Sequence, residues 1–268
     1  MKPPKRLLAI ALMLPFALQA QDRERAERWL DNCERNGWNN DREKFCEVRE
    51  ANASTAATIS VDGRDNGGVS FYGADRSDVR IIAMIEAQAD NMNDARALAK
   101  QIRILTDGGR IRAEGPSTRR HQSWSVSFQL LVPRKSNLVA VTTNGGVSAE
   151  GVQGRMNFQA VNGGIRLADV GGDVKAETTN GGVSATLTGS RWNGEGLDLR
   201  TTNGGVNVLI PRSYNAQLIT GTVNGGMRVD FPITVQGTLG RTVQTKLGAG
   251  GPTVRVTTTN GGVRITER

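Results

Sequence analysis

An Asn-Gly-Gly triplet that recurs along the second half of the chain constrains the fold more than any other feature. The segment TTNGGVSA occurs at residues 142–149 and again at 178–185, and TTNGGVNV occurs at 201–208. Six triplets begin at Asn144, Asn162, Asn180, Asn203, Asn224 and Asn260, and Asn66 begins an outlying copy. The six are separated by 18, 18, 23, 21 and 36 residues. A period near 18 predicts a repeat architecture, and the separation of 36 predicts one repeat that has lost its triplet.

Apolar and polar residues alternate on both sides of each triplet. Apolar residues stand six and four places before the asparagine, and three and five places after it, in nearly every repeat. Around Asn180, these positions are Val174, Ala176, Val183 and Ala185. A period of two indicates strands with one buried face and one solvent-facing face. Each repeat is therefore predicted to consist of a strand, a turn and a second strand.

Two all-β architectures agree with this pattern. Asn and Gly tolerate positive φ, and we expect the second glycine to let a neighbouring backbone approach closely. In a β-solenoid, each coil adds two strands and the asparagine side chains stack as a ladder. In a meander, each Asn-Gly forms a type I′ hairpin turn. The nearly constant spacing favours a β-solenoid of about 18-residue coils, with the meander of hairpins as the alternative.

The first twenty residues have the composition of a secretory signal peptide. Basic Lys2, Lys5 and Arg6 precede an apolar run at residues 7–18, and Ala20 is small enough for cleavage after it. The run is too short to span a bilayer comfortably, so we expect an exported protein, periplasmic or extracellular, with no transmembrane anchor after cleavage. Removal of this segment lowers the net charge from +8 to +5. Export, and the lack of a basic run interleaved with aromatic residues, argue against a nucleic-acid partner.

Residues 21–51 differ from the rest of the chain and are predicted to form a helical cap. Apolar residues recur there at helical spacing amid alternating charges, which predicts two short helices separated near residues 36–40. We expect Cys33 in the first helix and Cys46 in the second to form a disulfide, because exported proteins meet oxidising conditions. Residues 52–268 follow as one β-strand-repeat domain. A single helix is predicted near residues 91–102, with Asp90 or Asn91 as its N-cap.

These motifs together resemble a known family. The recurring TTNGGV and VNGGI, the strand-helix-strand segment before them and the FCEVRE leader resemble the bacterial putative adhesin family of β-strand-repeat proteins, a domain family of unknown function. The resemblance covers roughly residues 46–268. The family is similar to the head domains of autotransporter adhesins, which implies a β-solenoid and an envelope location. It implies no catalytic residues, because none defines the family.

The chain shows no pattern typical of catalysis or of cofactor binding. His121 is the single histidine and stands in a polar segment without a recognisable nucleophile. The carboxylates Glu150, Asp169, Glu177, Asp198 and Asp230 occupy different columns of the repeat, so a pair suited to glycoside hydrolysis is not assured. Asp62, Asp65 and Asn66 match no calcium-binding motif. We therefore expect no enzyme activity, no cofactor and no bound metal.

Two lengthened turns are the candidate ligand site. The repeats of 23 and 21 residues are extended by GSRWNGEG and by PRSYNAQ, on the side opposite the triplets. In a solenoid, these turns would bring together Arg191, Trp192, Arg212 and Tyr214, which suits stacking against a sugar or binding of an anionic glycan. The alternative is that both aromatic side chains pack onto the coil edge. The column Arg166, Arg228 and Arg264 is interpreted as solubilising charge.

The sequence thus predicts an exported, non-enzymatic scaffold of the cell envelope. Its expected partner is a cell-wall or surface polysaccharide, or another envelope protein. One alternative is a carbohydrate-active enzyme on the same scaffold. Another is a self-assembling structural element, because the C-terminal strand at 262–266 has no cap after it and an open edge invites oligomerisation.

Overall fold

The computed structural model describes residues 26–33, 42–230 and 241–268, and these form two facing β-sheets with two helices. The predicted signal peptide and the predicted helix break lie outside the described residues. In spatial order, sheet A consists of β1 (Glu43–Ser54), β4 (Asp78–Ala89), β7 (Ser123–Pro133), β3 (Val69–Ala74), β9 (Val147–Glu150), β11 (Ile165–Ala168), β13 (Val183–Thr186), β15 (Val206–Ile210), β20 (Val263–Glu267) and β17 (Met227–Val229).

Sheet B has the same number of strands and faces sheet A. In spatial order it consists of β18 (Thr242–Leu247), β16 (Ala216–Asn224), β19 (Thr253–Asn260), β14 (Gly196–Asn203), β12 (Gly171–Asn180), β10 (Gln153–Ala160), β8 (Leu138–Thr142), β2 (Ile59–Asp62), β6 (Arg110–Glu114) and β5 (Arg103–Asp107). The helices are α1 (residues 26–33) and α2 (Met92–Lys100).

The two strands that flank each triplet lie in different sheets and pair with strands of other coils. For example, β12 pairs in parallel with β10 and β14 in sheet B, whereas β13 pairs in parallel with β11 and β15 in sheet A. A hairpin would instead pair β12 with β13 in an antiparallel ladder. The solenoid-like arrangement is therefore correct, and the meander is wrong.

The core fills the space between the sheets and comes from the predicted apolar columns. In the first three complete repeats, all of these positions are buried, from Leu138 and Ala140 to Val183 and Ala185. Only at β17 are the column residues Met227 and Val229 half-buried, because β17 is the last strand of sheet A. The alternation in the sequence thus identifies the buried face of nearly every strand.

The spatial order of the coils departs from the order of the chain at the C-terminal end. The last coil, β19 and β20, lies between the coil β14 and β15 and the coil β16 and β17. The 36 residues between Asn224 and Asn260 include β18, which pairs antiparallel with β16 at the sheet edge. The predicted repeat without a triplet is therefore wrong. The predicted open C-terminal edge is also wrong, because β20 has a strand on each side.

Close approach between neighbouring coils explains the first glycine of each triplet. A Cβ atom on Gly163 would lie 2.0 Å from the carbonyl oxygen of Gly145, and one on Gly181 would lie 2.2 Å from that of Gly163. At the second glycine the room is larger, since a Cβ on Gly182 would lie 3.4 Å from its nearest neighbour. The expected role of the second glycine therefore belongs to the first. None of the six triplet asparagines has a positive φ, so that expectation is wrong as well.

The buried threonines before the triplets tie the turns of neighbouring coils together. The hydroxyl of Thr178 donates a 2.7 Å hydrogen bond to the carbonyl oxygen of Gly163, and that of Thr201 donates one of 2.7 Å to Gly181. Thr258 bonds in the same way to Gly204. Each hydroxyl satisfies a backbone carbonyl that lies between two coils, which explains why threonine recurs two places before the asparagine.

The N-terminal region begins with a helix but continues as a strand. Cys33 and Cys46 form the predicted disulfide. Cys46 lies in β1, which pairs with β4 along its whole length, so the predicted second helix is wrong and the boundary at residue 51 falls within a strand. Through the disulfide, α1 is held against the outward face of sheet A, where Ala26 packs on a small cluster that includes Ile82 and Leu131.

The predicted inserted helix, α2, closes one end of the core. Asn91 is its N-cap and accepts a hydrogen bond from the backbone N–H of Asp94, which confirms one of the two predicted caps. Ala95, Leu98 and Ala99 are buried between the helix and the sheets. At its C-terminal end, Arg49 of β1 donates hydrogen bonds to the carbonyl oxygens of Ala99 and Ile102, which ties β1 to the end of the helix.

Candidate functional site

The two lengthened turns lie side by side, but their aromatic residues are buried. The backbone N–H of Asn215 donates a 2.8 Å hydrogen bond to the carbonyl oxygen of Ser190. Trp192 is only 3% exposed and its Nε1 donates to the carbonyl oxygen of Gly172, whereas Tyr214 is 2% exposed. Both side chains pack in the core, so the interpretation that they offer exposed aromatic faces to a sugar is wrong.

The two arginines of these turns remain on the surface. Arg191 is exposed, and Arg212 is exposed and forms an ion pair with Glu267 of β20. This ion pair therefore links the lengthened turn to the C-terminal coil. Without an exposed aromatic face beside them, these residues do not form the predicted stacking site.

Burial of Tyr214 predicts a loss of stability at alkaline pH. Removal from water raises the pKa of its phenol above the ordinary value of about 10. Above about pH 10, the unfolded chain releases this proton while the native protein retains it, so the free energy of unfolding falls as pH rises. We expect the free energy of unfolding of Tyr214→Phe, measured by urea titration at several pH values, to fall less steeply than that of the wild type between about pH 9 and pH 11. Equal slopes for the two proteins would rule out this contribution.

The asparagines form one continuous ladder of side-chain amides. The Nδ2 group of each donates to the Oδ1 atom of its neighbour, with 2.8 Å from Asn162 to Asn144 and from Asn180 to Asn162. In spatial order the members are Asn66, Asn144, Asn162, Asn180, Asn203, Asn260 and Asn224. Asn66, noted only as an outlying copy, is the first member. The ladder follows the order of the coils and not the order of the chain.

The outward face of sheet A carries a candidate binding surface, which we call the sheet A groove. It has a volume of about 770 Å³ and crosses β3, β9, β11, β13 and β15. Its polar side chains include Ser70, Tyr72, Ser148, Glu150, Arg166 and Ser184. The strands are about 4.8 Å apart, so the groove extends over about 19 Å between its outermost strands.

Short side chains and one free cation give the groove its chemistry. The hydroxyl of Ser148 donates a 2.9 Å hydrogen bond to that of Ser70, and Ser184 lies in the same column of outward-facing residues. Between them, Arg166 is exposed and its side chain has no hydrogen bond or ion pair among the described residues. Its guanidinium is therefore free to bind an anionic group, and the small neighbours leave room for that group.

The other two arginines of this column differ from Arg166 in their surroundings. Arg228 forms a 2.7 Å ion pair with Asp230, and this contact raises the pKa of the guanidinium. Arg264 lies on β20, outside the groove. The prediction of solubilising charge for all three rested on the interruption of this column by Ser184 and Asn207. The serines beside Arg166 in the same column were the available signal.

The histidine and two of the carboxylates considered for catalysis contact other partners and not one another. His121 is exposed and its Nδ1 lies 3.0 Å from Asp90, while Asp198 is paired with Arg200 and Asp169 accepts from the hydroxyl of Thr188. In the described part of the chain, there is no group of three or more residues that could hold a metal ion. Among the described helices, none is long and apolar enough to cross a membrane.

Comparison with known proteins relates this fold to a family. The family described as Toastrack DUF4097 matches residues 74–266. A putative cell adhesion protein from Clostridium sporogenes is 10% identical, with a TM-score of 0.44, and the match covers 84% of this chain and 100% of that one. No curated protein matches the chain.

Two further solved structures are similar at comparable coverage. A putative adhesin from Bacteroides fragilis is 10% identical, with a TM-score of 0.29, and the match covers 83% of this chain and 97% of that one. A putative lipid binding protein from Parabacteroides distasonis is 9% identical, with a TM-score of 0.29 and coverage of 82% and 96%. The family match extends over most of the chain and includes every Asn-Gly-Gly triplet except that at Asn66. The chain therefore belongs to the Toastrack DUF4097 family.

Proposed function

We propose that this protein is an exported, non-enzymatic scaffold of the cell envelope that binds a wall or surface polysaccharide through the sheet A groove. The groove is the observation on which the proposal depends. It is open along several coils, which suits an extended polymer better than a small molecule enclosed in a pocket. The signal-peptide pattern at residues 1–20 supports a periplasmic or extracellular location.

The chemistry of the groove supports a glycan as the polymer. Hydroxyl groups of Ser70, Ser148 and Ser184 can exchange hydrogen bonds with sugar hydroxyls. Tyr72, which is half-buried, adds an aromatic ring at the end of the groove nearest α1. The free guanidinium of Arg166 favours a polymer that carries carboxylate or phosphate groups. Polar contacts repeated along the coils suit a ligand whose units also repeat.

A charge reversal in the groove tests this function. The mature protein is sedimented with peptidoglycan and with a panel of acidic and neutral polysaccharides. We expect Arg166→Glu to weaken binding to the acidic polymers by roughly tenfold, because it replaces a charge-assisted hydrogen bond with repulsion. Binding of the wild type should also weaken as salt concentration rises.

Arg264→Glu is the matched control for this experiment. It makes the same change of charge in the same column of the same sheet, but outside the groove. It should retain binding close to that of the wild type. If both substitutions weaken binding equally, the interaction reflects net charge and not the groove. If the wild type binds no polymer of the panel, the proposed function is wrong.

A further inference from the structure

The open end of the asparagine ladder has an unused hydrogen-bond donor. Asn144 donates a 3.0 Å bond from Nδ2 to Oδ1 of Asn66, so the oxygen of the Asn66 amide is occupied from that side. The nitrogen of a planar amide points away from its oxygen, and in this ladder every nitrogen faces the preceding coil. The Nδ2 group of Asn66 has no partner among the described residues. Because it has the same orientation as the other amides of the ladder, this Nδ2 group points toward the coil formed by β6 and β7.

That neighbouring coil has no asparagine to continue the ladder. Its turn, residues 115–122, has the sequence GPSTRRHQ and contains no Asn-Gly-Gly triplet. A cavity of about 290 Å³ lies between this turn and Asn66, with Asp62, Asp65, Ser117 and Trp124 in its lining. We call it the ladder-end pocket. It occupies the place where the next amide of the ladder would stand.

The walls of the ladder-end pocket are fixed by contacts around Trp124. The indole Nε1 of Trp124 donates a 3.0 Å hydrogen bond to the carbonyl oxygen of Pro116, which holds the turn of the neighbouring coil. The guanidinium of Arg64 lies 5.5 Å from the centre of the indole ring and donates to the carbonyl oxygen of Ala113. Arg64 has a φ of 53°, a left-handed conformation that is uncommon for a residue with a side chain. The pocket is thus held by specific contacts on both sides.

We propose that the ladder-end pocket binds the acetamido group of an N-acetylated amino sugar. This group has the same planar amide as an asparagine side chain, so its carbonyl oxygen can accept the bond that Asn66 offers and extend the ladder by one step. Its N–H lies on the opposite side of the amide from its oxygen and can donate to the hydroxyl of Ser117, in the turn of the neighbouring coil. Hydroxyl groups of the sugar then lie against Ser117 and Trp124, a polar and an aromatic surface.

The pocket favours this ligand over a plain hexose because of hydrogen-bond complementarity. A hydroxyl in place of the acetamido group reaches less far, and it cannot span the distance between Asn66 on one side and Ser117 on the other. Groups that bond a ligand directly discriminate against analogues that leave them unpaired. The site does not depend on the sheet A groove, with which it shares no lining residue. A single sugar is sufficient to test it.

The experiment titrates the full-length mature protein with N-acetylglucosamine and, separately, with glucose. We expect saturable binding of N-acetylglucosamine with a dissociation constant that is roughly millimolar, and binding of glucose that is at least about tenfold weaker. Asn66→Asp retains an acceptor for Asn144 but removes the donor, and should weaken binding of N-acetylglucosamine by about tenfold or more.

Asn193→Asp serves as the control. It makes the same change of charge in another exposed Asn-Gly pair, on a lengthened turn at the opposite edge of the coils. It should bind N-acetylglucosamine like the wild type. Equal affinities for the two sugars, undiminished binding by Asn66→Asp, or no saturation by N-acetylglucosamine would each overturn the proposal.

A direct readout covers the case in which Asn66→Asp does not fold. In the NMR spectrum of the nitrogen-labelled wild type, the side-chain amide signals of Asn66 should move on addition of N-acetylglucosamine and stay in place with glucose. The indole signal of Trp124 should move with them. If these signals respond equally to both sugars, or to neither, the ladder end does not bind the acetamido group.

Discussion

Gly181→Ala is expected to lower the free energy of unfolding by about 3 kcal/mol or more, which is a large effect for the addition of one methyl group. The new Cβ would lie 2.2 Å from the carbonyl oxygen of Gly163 and 2.6 Å from its carbonyl carbon. Both atoms belong to the turn between β10 and β11, whose flanking strands are held in parallel ladders and whose Gly163 carbonyl accepts a hydrogen bond from Thr178, so the turn cannot move aside without loss of hydrogen bonds. Urea unfolding followed by circular dichroism measures the change.

The adjacent glycine is the matched control for this prediction. In Gly182→Ala, the Cβ would lie 3.4 Å from the nearest atom, the carbonyl oxygen of Gly205, which is an ordinary contact. We expect this substitution to change the free energy of unfolding by less than about 1 kcal/mol. Similar losses for both substitutions would show that the glycines serve turn conformation in general, and not the close approach of coils at the first glycine.

Removal of residues 253–268 is expected to abolish cooperative folding. These residues form β19 and β20, which separate the coil β14 and β15 from the coil β16 and β17. Four buried side chains would be lost, at about 1.5–3 kcal/mol each, or about 6–12 kcal/mol in total. This is comparable to the whole stability of a typical domain, about 5–15 kcal/mol. The side chains are Val254, Val256, Val263 and Ile265.

Because this coil lies inside the stack, its removal should destabilise the protein more than removal of the last repeat of an ordinary solenoid would. A terminal repeat contributes a single interface, so its removal leaves the other repeats intact. An internal coil contributes two interfaces, and here its removal also leaves β16, β17 and β18 without their neighbour in the stack. Size-exclusion chromatography and urea unfolding of the truncated protein measure the effect. Arg264→Ala, an outward-facing change in the same coil, should behave like the wild type.

A soluble, monomeric truncated chain with the unfolding midpoint of the full protein would contradict the internal placement. It would indicate that β16 and β17 stack directly on β14 and β15. The outcome therefore tests the spatial order of the coils, and it does not depend on which ligand the protein binds.

Only some residues of the candidate sites could be identified from the sequence. Trp192 and Tyr214 stood out because they lie in the two lengthened turns, but these turns fold both side chains into the core. Arg166 was noted only as part of a column of solubilising charge, because Ser184 and Asn207 interrupt that column. Whether an arginine is paired depends on residues that the stacking of coils places beside it. That information is absent from any single repeat.

The sequence by itself determined the strands of the repeats and their buried faces, because these follow from local alternation. The almost constant period favoured the stacking of asparagines over a meander of hairpins but left both open. It also indicated the disulfide and the cap of α2, which depend on compartment chemistry and on residues close in the chain. The tertiary structure alone decided that the last coil lies inside the stack and that Cys46 belongs to a strand. Identical edges of similar coils can pair in several orders, and only packing of the whole chain selects one. For the same reason, the unpaired Nδ2 group of Asn66 became apparent only when the coil beside it was known.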